Sequence, residues 1–224
     1  MTPAMTNLWL RRTKERAQPM LANASLVRLA APLRRGGLLL VLTAFLAGCG
    51  VNTIPTLEEQ AKAAWSQVQN QYQRRADLIP NLVETVKGAA NFEKETLQAV
   101  IEARSKVAQT TLPPDVLTNP QAFKTFEQNQ GALSSALSRL MVVVERYPDL
   151  KANQNFLALQ SQIEGTENRI AVARRDYIEA VRKYNTELRT FPGRLWAMTL
   201  YSGNEPMQTF AAAEGAQTAP TVKF

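Results

Sequence analysis

The stretch "FLALQSQIEGTENRIAVARRDYIEAVRKYNTELRTF" occupies residues 156–191. Its apolar and small positions are Phe156, Leu159, Ile163, Thr166, Ile170, Ala173, Tyr177, Val181, Tyr184, Leu188 and Phe191, and the steps between them alternate almost strictly between three and four. A half-buried strand would alternate by two, whereas steps of three and four keep one stripe of a helix turned toward its neighbours. A stripe this long fits a helix packing at a shallow angle on other long helices. With Pro192 and Gly193 closing it, the spacing predicts one helix over 149–191, about 65 Å long at ~1.5 Å per residue.

The same rhythm recurs upstream. Leu57, Ala61, Ala64, Trp65, Val68, Tyr72, Ala76, Ile79, Leu82, Val83 and Val86 trace a first helix, with Thr56 as its expected N-cap and Glu58 and Glu59 in its first turn. Gly88 and Asn91 offer a break, and Leu97, Val100, Ile101, Arg104, Val107 and Ala108 mark a second helix. The proline-rich "TTLPPDVLTNP" at 110–120 reads as a loop. Phe123, Phe126, Gln130, Leu133, Leu137, Leu140, Val144 and Tyr147 mark a third helix that Pro148 stops or kinks. "RLWAMTLY" at 194–201 is a short apolar segment, and 202–224, which lacks periodicity, reads as extended or mobile. No strand pattern and no internal repeat is present. The expectation is all-α: an elongated antiparallel helical bundle of about four long helices over 57–201, preceded by an N-terminal signal helix.

Composition narrows the chemistry. The chain has 224 residues, 45% of them hydrophobic, and a formal charge of +7. Residues 1–48 hold seven of the 26 basic residues against one of the 19 acids, so the remainder carries 19 basic and 18 acidic residues, a net of +1. The basicity belongs to the leader, and nucleic-acid binding by the body loses its electrostatic support. Histidine is absent and Cys49 is the one cysteine. That removes Ser-His-Asp triads, Cys-His pairs, most zinc constellations and internal disulfides. Acid–base chemistry by Glu145, Glu164 or Glu167 stays open, but nothing marks any two of them as a pair. No catalytic residue, metal or cofactor is expected.

The leader is informative about address. Arg34 and Arg35 precede "GGLLLVLTAFLAGC", the basic-then-apolar order of a secretory signal. The apolar run is about 15 residues, short of the ~20 of a membrane span. "LAGC" at 46–49 resembles a bacterial lipobox, which implies acylation of Cys49, cleavage before it, and a lipidated tether over 49–56. Two or three acyl chains anchor stably, whereas one is marginal. By the lipoprotein sorting pattern that this resembles, the absence of aspartate at Gly50 slightly favours the outer membrane over the inner one. A single N-terminal hydrophobic helix in the inner membrane is the alternative, and Met20 is an alternative start.

Two segments carry dense polar residues within core-forming helices. In "QYQRRADLIPNLVETVKG" at 71–88, Arg74 and Asp77 stand three apart; in 164–185, Arg175 and Glu179 stand four apart, as do Glu164 and Asn168. Such pairs can meet along one helix face, and a surface pair is worth only ~0–1 kcal/mol. The alternative is a contact site for an anion or a partner's acidic peptide, for which arginine's planar fork is suited. The candidate residues are Arg74, Arg75, Asp77, Glu167, Asn168, Arg174 and Arg175. Pro80 lacks an N–H and should kink or open the first helix near 76–78, leaving carbonyls beside the arginine pair.

Four quoted motifs, in order, carry a resemblance: "YQRRADLIPNLVETVKG" at 72–88, "ERYPDLKANQNFLALQSQIEGTENRIAVARRDYIEAVRKYN" at 145–185, "FPG" at 191–193 and a terminal "APTVKF". Together they closely resemble the LemA family over about 57–224. The resemblance implies a helical bundle on a bacterial membrane, with no catalytic residue or cofactor, and an adaptor role for an envelope protein partner. The chain departs from the family in placing a lipobox where a hydrophobic helix is usual. It also reads Asp176-Tyr177-Ile178 where the family usually has a tyrosine-asparagine pair after the arginines.

Overall fold

The computed structural model describes residues 50–88 and 92–211. The leader, the lipobox with Cys49, and residues 212–224 lie outside the described residues. The described helices belong to one compact unit, Asn52–Phe224. They are α1 (Thr53–Lys87), α2 (Lys94–Gln109), α3 (Pro120–Val144), α4 (Pro148–Lys151), α5 (Gln154–Glu187) and α6 (Gly193–Thr199). The all-α expectation holds, and the helix boundaries need three corrections.

First, α1 starts three residues before the expected cap. Pro55 sits in its first turn, where a missing N–H breaks no bond. Thr56 does not cap but donates its hydroxyl back to the Asn52 carbonyl at 2.7 Å. Second, Pro80 does not interrupt α1. The Ala76 carbonyl, deprived of the N–H four residues on, accepts from Arg104 Nε at 3.2 Å, so the expected opening is closed from α2. Third, the single helix expected over 149–191 is two. Asn153 adopts an extended conformation, and its side-chain oxygen accepts from the N–H groups of Asn155 and Phe156 at 2.9 and 3.2 Å. That is an N-cap. The one-turn α4 stays separate from α5, whose 34 residues span about 51 Å. Asn119 caps α3 in the same way, with Pro120 in its first turn.

Side-chain partners fix the directions. Arg75 of α1 meets Glu167 of α5, and Trp65 meets Tyr177, so α1 and α5 run antiparallel. Their backbones approach closely along most of their length, as do those of α2 and α3. Arg146, just past the end of α3, reaches Glu93 at the start of α2, so that pair is antiparallel too. The two pairs meet through large side chains: Trp65 lies 5.6 and 5.0 Å from Phe123 and Phe126, and Tyr72 lies 5.4 Å from Phe126. The four long helices therefore run up, down, up, down.

The core divides lengthwise. One cluster is aromatic and includes Trp65, Tyr72, Phe123, Phe126, Tyr177, Tyr184 and Phe210. The other is mainly aliphatic, with Ile79, Leu82, Val100, Leu133, Leu140 and Ile163. The first residues of the expected tail belong to the aromatic cluster. After a turn at 202–203, closed by the Asn204 N–H on the Tyr201 carbonyl at 2.9 Å, residues 204–211 run without helix along the bundle, with Met207 and Phe210 buried. The Asn185 side chain bonds both the N–H and the carbonyl of Met207 at 2.9 Å, and Tyr177 donates its hydroxyl to the Gln208 carbonyl at 2.7 Å. Up to residue 211 the segment is tied down as a strap.

Burial raises the pKa of Tyr72, Tyr177 and Tyr184 above the ordinary tyrosine value. At Tyr72 the positive charges of Arg174 and Arg75 oppose the rise, and at Tyr184 the hydrogen bond with Asn204 does. Groups with raised folded pKa values stabilise fully below the unfolded value of about 10 and lose that contribution as pH climbs through the folded value. Unfolding midpoints in urea should therefore fall steeply above about pH 10. Tyr177→Phe should lower stability at neutral pH by about 1 kcal/mol, through its lost hydrogen bond, and flatten the alkaline fall. An alkaline limb of unchanged slope in Tyr177→Phe would rule out this assignment.

Candidate functional site

Arg75 lies where the two core clusters meet, and its side chain is 0% exposed. Its neighbour in α1, Ala76, is on the expected apolar stripe, so a guanidinium one position away is carried inward between α3 and α5. One terminal nitrogen donates to Ser134 Oγ at 2.6 Å and to Glu167 Oε1 at 2.7 Å. The other donates to the side-chain and backbone oxygens of Gln130 at 2.7 and 3.2 Å. The Tyr72 ring lies 5.0 Å from the guanidinium carbon. Only Nε is left without a partner. Thr166, also buried at this level, satisfies its hydroxyl on the Gln162 carbonyl of its own helix. The result is a polar layer across three long helices, with apolar core on either side.

A groove of about 680 Å³ opens from this layer. Arg75 and Glu167 form part of its lining, together with Lys124, Glu127, Arg174 and strap residues Gln208, Thr209 and Ala211. Arg174 lies 3.4 Å from the Glu127 carboxylate and stacks on the Phe210 ring at 4.2 Å. Both carboxylates of the groove thus already carry an arginine.

Of the residues singled out from sequence, Arg75, Glu167 and Arg174 meet at this groove. The others do not. Arg74 is exposed and, among the described residues, bonds no acid; Asp77 accepts from Gln73 at 2.8 Å rather than pairing with Arg74. Arg175 is exposed and lies 3.5 Å from Asp176, while its expected partner Glu179 pairs with Lys183 at 3.0 Å. Asn168 is exposed, and Glu164 accepts from Gln160 instead of meeting it. The three acids considered for catalysis have separate partners: Glu145 has Lys151, Glu164 has Gln160 and Glu167 has Arg75. Among the described residues no three potential metal ligands cluster.

Sequence reasoning passed over Gln130, Ser134, Glu127 and Phe210 as site residues, and Arg104 as the partner of the Pro80 gap. A signal existed for two of them. Gln130 and Arg104 stand inside the apolar stripes of their helices, where a polar residue needs a buried partner.

Fold and site define an up-down-up-down helical bundle with a buried arginine layer across its core. The sequence profile of the LemA family matches residues 64–224, and the chain belongs to that family. It is 27% identical over 135 residues to "Protein LemA" of Metamycoplasma hominis, covering 60% of this chain and 57% of the relative. It is 26% identical over 157 residues to "Magnetosome protein MamQ 2" of Paramagnetospirillum magneticum, covering 63% and 58%. To "Magnetosome protein MamQ" of Magnetospirillum gryphiswaldense it is 26% identical over 163 residues, covering 66% and 60%. The chain thus spans less than two thirds of the length of these relatives.

Removing one partner of a buried ion pair costs ~3–5 kcal/mol when the remaining charge is fully enclosed. Glu167 is 39% exposed, so water can reach the vacated position. Glu167→Ala should cost about 2 kcal/mol in urea unfolding, and Glu167→Gln less, since an amide oxygen still accepts from Arg75. Arg74→Ala and Arg175→Ala should stay within about 0.5 kcal/mol. Equal costs at all four would show that the layer has no special role.

Proposed function

We propose that this LemA-family chain is a non-enzymatic scaffold or adaptor at the bacterial cell envelope. It is held to the membrane through acylated Cys49, with the bundle in the periplasm and an envelope protein as its partner. The observation that carries the reading is that most interior polar groups are bonded to one another; among the described residues, the buried side-chain atoms left without a partner are Gln71 Oε1, Arg75 Nε and Trp196 Nε1. Arg75 is bonded by Ser134, Gln130 and Glu167, Arg174 by Glu127, and the Ala76 carbonyl by Arg104. What remains available is the surface, where α5 exposes Leu157, Val172 and Ile178. Among the described residues no helix is long and apolar enough to cross a membrane. The anchor therefore rests on the leader's sequence.

The groove supports a second reading, binding of a small anion or lipid head group. Lys124, Arg75 and Arg174 face two carboxylates there, and Arg75 Nε is unpartnered. Calorimetry with inorganic phosphate, on the chain and on Lys124→Ala, tests it; no heat of binding in either removes it.

Two results test the main reading. Cys49→Ala should move the protein out of the membrane fraction or leave its leader uncleaved. A mature N-terminus upstream of an unmodified Cys49, seen by mass spectrometry, would contradict the lipid anchor. Photo-crosslinkers at Val172 and Ile178 should capture one envelope protein in cells. If they capture nothing beyond what an unrelated lipoprotein captures, the adaptor reading fails.

A further inference from the structure

The segment between α5 and the strap, "LRTFPGRLWAMTL" at 188–200, is built unlike the rest of the surface. Phe191, Leu195, Met198 and Leu200 are 85%, 50%, 69% and 63% exposed, a concentration of large apolar side chains within ten residues. Leu195 and Met198 are three apart on α6 and share a face. The other side of α6 turns inward: Trp196 and Ala197 pack against the aromatic cluster. Gly193 permits the tight entry into α6, because a Cβ there would run into the Glu187 carbonyl oxygen. Arg189 and Arg194 are exposed within this patch, and no acid occurs between Glu187 and Glu205. The segment therefore presents apolar side chains flanked by two unopposed positive charges.

Its position is as telling as its composition. α6 packs on α1, and Asn204, just beyond it, bonds Glu58 in the first turns of α1 at 2.7 Å. The patch thus lies at the end of the bundle where the chain enters from the leader. Three residues, and so four backbone steps, separate Cys49 from Thr53, the first residue of α1. Fully extended, those four steps reach at most about 14 Å. A lipid anchor on Cys49 would hold this end, and no other, beside the bilayer surface.

We propose that the 188–200 segment docks on the membrane itself, inserting Phe191, Leu195, Met198 and Leu200 among the acyl chains of anionic lipids, with Arg189 and Arg194 at the phosphates. Large apolar side chains beside basic residues are the composition of an interfacial contact. Docking gives the bundle a second point of attachment and so a set orientation on the membrane, which a flexible tether alone does not provide. The inference rests on the anchored reading above.

The test uses the full, lipidated chain in vesicles of phosphatidylethanolamine and phosphatidylglycerol, with a fluorophore on Leu195→Cys or, separately, on Val142→Cys. Val142 is 71% exposed near the opposite end of the bundle. Flotation with the vesicles reads the anchor, and quenching by lipids brominated near the head group reads docking. The expected result is flotation of both proteins, with quenching at 195 and none at 142. Arg189→Gln and Arg194→Gln should each lower the docked-to-free ratio about fivefold, with helix content unchanged by circular dichroism. Flotation with position 195 unquenched, or with both positions quenched alike, overturns the docking and leaves the anchor standing. A chain that does not float refutes the anchor, and the docking falls with it.

Discussion

The structure is organised around one buried guanidinium. Taking Arg75 out of water costs several kcal/mol, and the bundle offsets that cost with four hydrogen bonds that it donates to α3 and α5. Those bonds set geometric terms that an apolar contact would not. Leucine stripes can slide by one turn and still bury their methyl groups. A guanidinium held at once by Gln130, Ser134 and Glu167 fits at one height on α3 and one on α5. The aromatic and aliphatic clusters meet at that layer, where Gln130 and Thr166 interrupt the apolar stripes of α3 and α5.

The other interior polar groups follow the same logic. Pro80 frees a carbonyl in the middle of α1, and Arg104 of α2 fills the gap. Arg174 at the groove wall is held by Glu127 on one side and the Phe210 ring on the other. That contact also ties the strap to the bundle, whose long side chains Tyr177 and Asn185 bind its backbone. With most of its polar interior bonded in this way, the contacts proposed for the molecule lie on its surface, at the exposed face of α5 and at the patch around α6.

Much of this was legible in the sequence, for a physical reason. The three-and-four stripes are set by helix geometry, so the long helices and most of their buried residues could be read directly. Boundaries set by one side chain could not: the Asn153 cap that separates α4 from α5 is a single polar residue just ahead of the stripe that begins at Phe156. Pairing inferred from spacing failed in the same way. Arg74 with Asp77 and Arg175 with Glu179 are correctly spaced for a helix face, but each acid had a competing neighbour, Gln73 or Lys183. The arginine pairs drew attention as clusters, yet adjacent residues on a helix point about 100° apart. Only one member of each pair lines the groove. The strap escaped detection because an extended segment bound by side-chain amides has no periodicity to show.

The central claim, that the Arg75 layer fixes the register of α1 against α5, is open to direct measurement. Spin labels on Lys62→Cys and Arg182→Cys, in a Cys49→Ser background, report the α1–α5 distance by double electron–electron resonance. The native layer should give one narrow distance. Replacing Arg75 and Gln130 with leucine and Glu167 with glutamine should leave the protein folded, and even more stable, but with a broadened or split distribution as the helices slip. A single narrow distance, unchanged in that variant, would show that the apolar stripes alone set the register.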